Sequence, residues 1–299
     1  MNLSELKFII AVAKEKNFRR AADKCFVSQP ALSLAIKKLE NELNIIIFER
    51  SRTEVKITPA GEKIIDQAII ILDEVSKLKD LSSAGQEQLN IPLKIGLIYS
   101  VAPYLLPLII PILRKSTPNM PLDVEENITK NLEKSLKSGT IDAAVIALPF
   151  NIPGVENIPL YDEEFNVVVP SNHIWAEKKV IDAKSLSNEK VLLLNNEHCF
   201  SNQVIEACPE LSKKSEILQG NSLETIRNMV ASNLGISVLP KTATAQNYTN
   251  PLVKIIPFKS PVPFRRIAIA YRKSTVRMEA IENFAVALKK IKTSSIKIF

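Results

Sequence analysis

Two cysteines lie close together in the C-terminal half of the chain. Cys199 and Cys208 are nine residues apart, and His198 directly precedes the first of them. Thiolate is the reactive form of cysteine, so a cationic or hydrogen-bonding neighbour would make one of them a nucleophile. If the intervening segment is helical, a rise of ~1.5 Å per residue separates them by about 13 Å, whereas a disulfide needs Cα atoms within about 7 Å. A bond between them would therefore require local refolding, as in a redox switch.

The spacing alone leaves other interpretations of these residues open. Both cysteines would also suit plain packing positions without chemistry. A zinc site built from His198, Cys199 and Cys208 lacks a clear fourth ligand. The third cysteine, Cys25, is expected to pack in a core. We therefore expect no metal and no cofactor.

Length and composition predict more than one domain of ordinary globular character. The chain has 299 residues, 46% apolar and 24% charged, which exceeds the size at which one core stops growing. No signal peptide is visible, because the apolar stretch at 8–13 is short and follows Glu5 and Lys7. We therefore expect a cytoplasmic protein. Three prolines interrupt the longest apolar stretch, 97–113, which argues against a membrane span.

The first sixty residues predict a helix-turn-helix. Apolar residues recur at helical spacing over 3–13, and a second short helix is expected over 19–24. Ser28 and Pro30 predict the start of a third helix. Its polar face presents Gln29, Ser33, Lys37 and Lys38. Two short helices with such a face match the arrangement that places a recognition helix in the major groove of DNA.

A short hairpin is expected after the third helix. Strands at 45–49 and 53–58 flank Arg50 and Arg52, whose side chains would reach phosphates from a wing. Residues 1–60 hold 11 Lys/Arg against 7 Asp/Glu, within a net charge of +7 for the chain. This excess is compatible with phosphate contacts, although a solvated basic face is a commoner cause.

A long amphipathic helix should follow the hairpin. Its apolar stripe has a 4-3-4-3 spacing: Ile64, Ala68, Ile71, Val75 and Leu78. Such a stripe needs a partner, which is either a second helix or the domain's own core. Small polar residues at 82–86 then predict a hinge. We expect domains at 1–58 (winged helix-turn-helix), 59–90 (linker helix and hinge) and 91–299 (regulatory domain).

The rest of the chain predicts an α/β domain. Apolar strand patterns alternate with helical patterns, which indicates a mostly parallel sheet covered on both faces. A first run has strands at 93–97, 122–125 and 141–146, with helices at 104–113 and 129–138. A second run has strands at 167–169, 191–194, 236–239 and 266–271, with a helix at 222–232.

Several segments resemble the LysR-type transcriptional regulators. They are residues 17–23 (NFRRAAD), 27–33 (VSQPALS), 38–40, 48–50, 58–61 (TPAG) and 233–240 (NLGISVLP). The resemblance implies a winged helix-turn-helix and a linker helix that pairs with its copy in a second subunit. It also implies a regulatory domain of two Rossmann-like lobes, similar to periplasmic binding proteins, with a cleft that receives the signal.

The resemblance assigns DNA contacts residue by residue. Gln29, Pro30 and Ser33 would approach base edges at the helix start marked by Ser28. Phosphates would be held by four basic residues: Lys37, Lys38, Arg50 and Arg52. Leu34 stands where the family usually has a polar residue, so it contacts either a thymine methyl or nothing.

The segment 198–208 resembles the peroxide-sensing members of that family in particular. Further matching segments are residues 96–98, 103–107, 222–230 and 265–266. By this resemblance Cys199 is oxidised by hydrogen peroxide to a sulfenic acid, and Cys208 resolves it to a disulfide. Arg266 and His198 would lie beside the sulfur.

The same resemblance suggests two hydroxyl groups that would contact peroxide, and the sequence departs from the family pattern at two places. Ser100 and Thr129 would orient peroxide and its leaving water. The family usually has Thr in place of Ser100, so the hydroxyl is kept. It usually has Arg-Asp in place of Ser201-Asn202, so a charge pair beside the reactive cysteine is absent here.

These features predict a transcription regulator rather than an enzyme. The expected partners are promoter DNA, a second copy of the chain in a dimer or homotetramer, RNA polymerase and hydrogen peroxide as signal, with no membrane. One alternative is a LysR-type regulator that binds a small carboxylate in the cleft, at helix N-termini near Ser100 and Thr129. Another is a thiol peroxidase that turns over at Cys199.

Overall fold

The structure is a computed structural model that describes residues 1–50, 55–82, 88–209, 211, 217–245 and 250–299, with only the backbone given at 50, 73 and 76–82. The chain divides into an N-terminal unit and a C-terminal unit, the latter built around a ten-stranded sheet. The N-terminal elements are α1 Leu3–Glu15, α2 Phe18–Lys24, α3 Gln29–Leu43, β1 Phe48–Arg50, β2 Val55–Ile57 and α4 Pro59–Ser82.

The first three helices each begin at a polar side chain that caps the backbone. Asn2 accepts a hydrogen bond from the amide of Glu5, and the Glu5 carboxylate accepts one from the Asn2 amide in return. The side chains of Asn17 and Ser28 each accept one backbone amide hydrogen bond at the starts of α2 and α3. Each such cap stabilises a helix by ~1 kcal/mol. The predicted three helices are therefore confirmed.

Hydrogen bonds connect the β1–β2 segment to α3 before it and to α4 after it. The Glu40 carboxylate of α3 accepts hydrogen bonds from the amides of Ile47 and Phe48. The Thr58 hydroxyl accepts one from the amide of Gly61 at the start of α4. A Cβ on Gly61 would lie 2.4 Å from the carbonyl oxygen of Ile47, so only glycine allows this approach.

The apolar stripe of α4 packs on the N-terminal unit over its first half, whereas Ile70, which lies outside the stripe, does not. Ile65 and Ala68 are buried in the core of the N-terminal unit, and Ile64, Ile71 and other stripe residues pack partly against it. Ile70, on the same helix, is 47% exposed. The first half of the stripe therefore packs on its own unit, and the side chain of Leu78 lies outside the described residues.

The C-terminal unit alternates strands and helices as expected. Its elements are β3 Leu93–Ile98, α5 Ala102–Ser116, β4 Leu122–Asn127, α6 Thr129–Lys137, β5 Ala143–Ala147, β6 Val155–Pro170, β7 Val191–Leu194, α7 Cys199–Ala207, β8 Ile217–Gly220, α8 Leu223–Ala231, β9 Ile236–Pro240, β10 Val253–Pro257, β11 Phe264–Arg272, α9 Met278–Lys289 and β12 Lys297–Ile298.

The sheet has the strand order β4-β3-β5-β11-β6-β9-β7-β8, with β10 and β12 also paired to β6. β3 runs parallel to β4 and β5, and β7 runs parallel to β8 and β9. β6 is antiparallel to β11 and to β9, so the sheet is mixed rather than mostly parallel. Two separate apolar cores form on this sheet, which makes the regulatory unit two-lobed.

The long apolar stretch folds as a strand, a turn and a helix. Pro103 lies in the first turn of α5, where its missing amide costs nothing, while Pro107 and Pro111 lie inside the helix. Among the described residues, we find no helix with the length and hydropathy needed to span a bilayer.

Candidate functional site

A cavity of about 10 Å³ lies beside the first residues of α6 and α7 and the segment before α5. Its lining residues are Ile98, Tyr99, Ser100, Asn127, Ile128, Thr129, His198, Cys199 and Phe200. Four of the six residues predicted to act on peroxide are therefore brought together. This volume is close to the minimum that holds one water molecule.

Cys199 is the first residue of α7, and its thiol is free. The backbone amides of a helix N-terminus carry a partial positive charge that stabilises a nearby anion. Reactive cysteines commonly occupy such positions. The predicted nucleophile therefore lies where the fold favours a negative charge.

His198 directly precedes α7 and is only 9% exposed. This burial lowers the pKa of His198, because the charged imidazolium loses its hydration, and the neighbouring Glu197 carboxylate opposes the effect. The imidazole is therefore neutral at pH 7. It offers the cavity one donor and one acceptor without a charge.

Ser100 is held by an arginine that the sequence analysis did not single out. Arg265 donates from Nη1 to the Ser100 hydroxyl at 2.7 Å and from Nη2 to the Ser100 carbonyl at 2.9 Å. Its guanidinium also lies 5.0 Å from the ring centroid of Phe200. Because the serine oxygen accepts from Arg265, its own proton can be donated elsewhere.

Arg265 is itself fixed by a buried carboxylate. Its Nε donates to Glu163 at 2.8 Å, and both side chains are fully buried. The other oxygen of Glu163 accepts from the amide of Thr242 at 3.0 Å and from the Thr242 hydroxyl. This network holds the Ser100 hydroxyl at one position on the cavity wall.

The Thr129 hydroxyl is a buried polar group of the cavity wall. Its Oγ1 is buried and has no hydrogen-bond partner among the residues that the structure describes. Buried hydroxyls are nearly always paired, so such an atom indicates a small polar occupant. Together with the volume, it points to a molecule of about the size of water.

Arg266 does not lie in this cavity, contrary to the prediction that it neighbours the sulfur. It donates to both oxygens of Asp162, at 2.7 and 2.9 Å, and its side chain is 43% exposed. Its guanidinium lies 4.8 Å from the ring centroid of Phe299. Adjacent residues of a strand face opposite sides, so Arg265 faces inward. The buried Ile267, two residues on, is the signal that would have identified the inward face.

Cys208 terminates α7 and lies in the core of the second lobe, 1% exposed. This burial raises the pKa of its thiol to about 11, so the thiol stays protonated. Cys199 packs instead against the core of the first lobe. With a helix between them, their Cα atoms are about 13 Å apart. A disulfide between Cys199 and Cys208 would therefore require α7 to unwind, as the sequence predicts.

Ser201 and Asn202, which stand where the Arg-Asp pair was expected, have different environments. The Ser201 hydroxyl is buried and donates to the carbonyl of Leu194 at the end of β7. Asn202 is exposed. A neutral hydrogen bond therefore anchors the first turn of α7 to the sheet.

The geometry does not support the zinc interpretation. Cys199 and Cys208 lie at opposite ends of α7. Within the described part of the chain, no group of three His, Cys, Asp or Glu side chains is placed to hold a metal ion.

The recognition-helix residues lie on the accessible side of α3. The Ser28 hydroxyl accepts from the amide of Ala31 at 3.3 Å, and Leu34 is 70% exposed. Gln29, Pro30, Lys37 and Lys38 are exposed, and Ser33 is half-buried. For Arg50 only the backbone is described, and Arg52 lies outside the described residues.

Two family models together cover almost the whole chain. Residues 3–62 match the bacterial regulatory helix-turn-helix protein of the lysR family, and residues 86–291 match the LysR substrate binding domain. The "Hydrogen peroxide-inducible genes activator" of Haemophilus influenzae is 38% identical over 289 residues, which are 96% of each chain.

Solved structures agree with these matches. A full-length OxyR variant from Pseudomonas aeruginosa has a TM-score of 0.79 at 46% identity, over 98% of this chain and 96% of that one. A mutant OxyR from Corynebacterium glutamicum, solved with H₂O₂ bound, has a TM-score of 0.65 at 34% identity, over 97% and 92% of the chains. The chain belongs to the LysR family of bacterial transcriptional regulators.

Proposed function

We propose that this regulator senses hydrogen peroxide by oxidation of Cys199 and disulfide formation with Cys208, and so controls genes of oxidative-stress defence. The observation that carries the proposal is the cavity of about 10 Å³. It places a free thiol at a helix N-terminus beside a buried hydroxyl that lacks a partner. The similarity to peroxide-inducible activators and to OxyR structures supports it.

The proposed chemistry has two steps. The Cys199 thiolate attacks one oxygen of hydrogen peroxide, an S–O bond forms, the O–O bond breaks, and the leaving hydroxide takes a proton to become water. Ser100 and Thr129 donate hydrogen bonds to the two oxygens. The Cys208 thiol then loses its proton and attacks the sulfenic sulfur, an S–S bond forms, the S–O bond breaks, and the leaving hydroxide takes that proton to become a second water.

The burial of Cys208 separates these steps in time. While α7 is helical, the raised pKa of Cys208, about 11, keeps the resolving thiol unreactive. Unwinding exposes it to water, where a cysteine pKa returns to ~8.5. The disulfide therefore forms only after α7 has opened, and this opening is the conformational signal.

The site favours peroxide over a carboxylate effector. Sites for small organic ligands usually enclose ~300 Å³ or more. The cavity at Ser100 and Thr129 has about 10 Å³, so a carboxylate metabolite does not fit there. A thiol peroxidase would not need a helix-turn-helix unit, so we propose stoichiometric signalling without catalytic turnover.

DNA binding and assembly complete the proposal. The domains are 1–58, 59–90 and 91–299, and α4 pairs with its copy in a second subunit to form a homodimer that further assembles into a tetramer. Ser28, Gln29, Pro30 and Ser33 lie at base edges, and Lys37, Lys38, Arg50 and Arg52 at phosphates. We place the protein in the cytoplasm, at promoters read by RNA polymerase.

Peptide mapping after mild peroxide treatment tests the sensing chemistry. We expect a peptide pair joined through Cys199 and Cys208 within the full-length protein. Cys199→Ser should abolish it without loss of DNA binding, because the serine hydroxyl has a similar volume but no thiolate chemistry. Cys25→Ser is the matched control and should form the bond normally. Both thiols remaining free at low micromolar peroxide would instead favour a metabolite sensor.

A further inference from the structure

Tyr99 is the most exposed residue of the cavity lining. Of the nine described lining residues, Tyr99 is 41% exposed, whereas Ile98, Ser100 and Phe200 are each 3% exposed or less. Tyr99 directly follows β3. The other lining residues are buried or half-buried.

The Tyr99 ring contacts the residue next to the reactive cysteine. Its centroid lies 5.5 Å from that of His198, with the rings at 67° in an edge-to-face arrangement. Tyr99 belongs to the first lobe and His198 caps α7 in the second. Both rings line the same space as Cys199, and Tyr99 is the more exposed of the two.

The tyrosine ring is held more weakly than the rest of the wall. The structure gives its hydroxyl no hydrogen-bond partner among the described residues, whereas Ser100 opposite is fixed by two hydrogen bonds from Arg265. An aromatic edge-to-face contact contributes ~1 kcal/mol. Exposed side chains change rotamer within nanoseconds, so this ring can admit a small molecule without a change in the fold.

We propose that Tyr99 is a selectivity gate over Cys199, which admits hydrogen peroxide and excludes hydroperoxides that carry an alkyl group. The inference rests on the proposed function, since it assumes that Cys199 reacts with peroxide. A cavity of about 10 Å³ is close to the minimum for one water molecule, so hydrogen peroxide enters with a small displacement of the wall, whereas a branched alkyl chain needs a large one. The alkyl group would have to occupy the volume of the tyrosine ring.

The test compares two oxidants on the full-length protein. Loss of the Cys199 thiol is followed by rapid quenching and mass spectrometry, with hydrogen peroxide and with tert-butyl hydroperoxide. Tyr99→Ala should raise the rate ratio of tert-butyl hydroperoxide to hydrogen peroxide by about tenfold or more, as expected when a steric limit of this size is removed. Tyr99→Leu should give a smaller rise, and Tyr99→Phe, which keeps the ring, should retain the selectivity. Ile174→Ala, at an exposed apolar residue far along the sequence, is the matched control.

The outcomes separate the gate from the sensing chemistry. An unchanged ratio in both Tyr99→Ala and Tyr99→Leu, with normal hydrogen peroxide reactivity, overturns the gate and leaves the proposed function standing. A wild-type protein whose Cys199 resists hydrogen peroxide overturns both. A loss of selectivity in Tyr99→Phe as large as in Tyr99→Ala also overturns the gate, because the ring would then not be the barrier.

Discussion

At the residue scale, the two adjacent arginines of β11 have opposite roles. Arg265 is a fully buried partner of Glu163, and Arg266 is a half-exposed partner of Asp162. Removal of one partner from a buried pair leaves an uncompensated charge, which costs ~3–5 kcal/mol. Exposed pairs contribute below ~1 kcal/mol. The same substitution at the two positions therefore compares the loss of a buried ion pair with the loss of an exposed one.

We expect Arg265→Met to lower the free energy of unfolding by about 3–5 kcal/mol, and Arg266→Met to lower it by less than about 1 kcal/mol. Urea denaturation measures both. Glu163→Gln in the Arg265→Met background should recover part of the loss, since it removes the lone carboxylate. Equal losses from the two single variants would contradict the assignment of the inward face.

The role of Leu34 in DNA binding is a prediction with two alternatives. Its side chain contacts either a thymine methyl group or no part of the DNA. Its 70% exposure on the recognition helix leaves it available to an apolar atom in the major groove. If it contacts a methyl, replacement of that thymine by dU should weaken binding about fourfold, the effect of one buried methyl group. Fluorescence anisotropy on duplexes selected by the wild type measures this, position by position. The dU penalty should vanish in Leu34→Ala, and a penalty that persists there would rule out the contact.

At the element scale, α7 is the part of the fold that must open. Its first turn is anchored by the buried Ser201 hydroxyl on the carbonyl of Leu194, and its last turn by buried Cys208. Both anchors are contacts of single side chains of α7. The strands before and after the helix are instead held by ladders of backbone hydrogen bonds. Opening can therefore be confined to this helix.

Ser201→Ala should speed disulfide formation. Loss of one hydrogen bond of ~1 kcal/mol makes opening of α7 about fivefold more frequent. Stopped-flow mass spectrometry of peroxide-treated protein would show faster conversion of sulfenic acid to disulfide. The exposed Asn202 is the matched control site, and Asn202→Ala should behave as wild type. An unchanged rate in Ser201→Ala would show that this bond does not limit opening.

The sequence predicted most of the elements, and the exceptions have physical causes. Ser28 and Pro30 predicted the start of α3 correctly, because capping is a local interaction. The strand expected only at 167–169 extends as β6 from Val155. Its first half was missed because apolar residues 158–161 and charged residues 162–164 form runs instead of alternating, and it is stabilised by pairing with distant β11. The same non-local pairing decides which arginine faces inward, and the cavity volume depends on three separated segments. The cavity volume does not follow from local patterns, whereas the alternation of Arg265 with Ile267 was a local signal for the inward face.

At the scale of the whole molecule, binding to DNA should depend steeply on salt. Each phosphate contact releases counterions and adds about 0.9 to the slope of log Kd against log salt. Lys37→Ala and Lys38→Ala should therefore each reduce the slope by about 0.9, and the double variant by about twice that. Lys254→Ala, on β10 of the regulatory unit, should leave it unchanged. A slope insensitive to both α3 lysines would place the phosphate contacts elsewhere.

The burial of the second thiol also sets an upper limit to the useful dose of oxidant. Until α7 opens, a newly formed sulfenic acid waits without its partner, and a second peroxide molecule can convert it to sulfinic acid, which does not form a disulfide. At low oxidant the helix opens first and the signal is reversible by reduction. At high oxidant the second oxidation outpaces opening, so the response should reach a maximum and then decline as the sensor population is permanently inactivated.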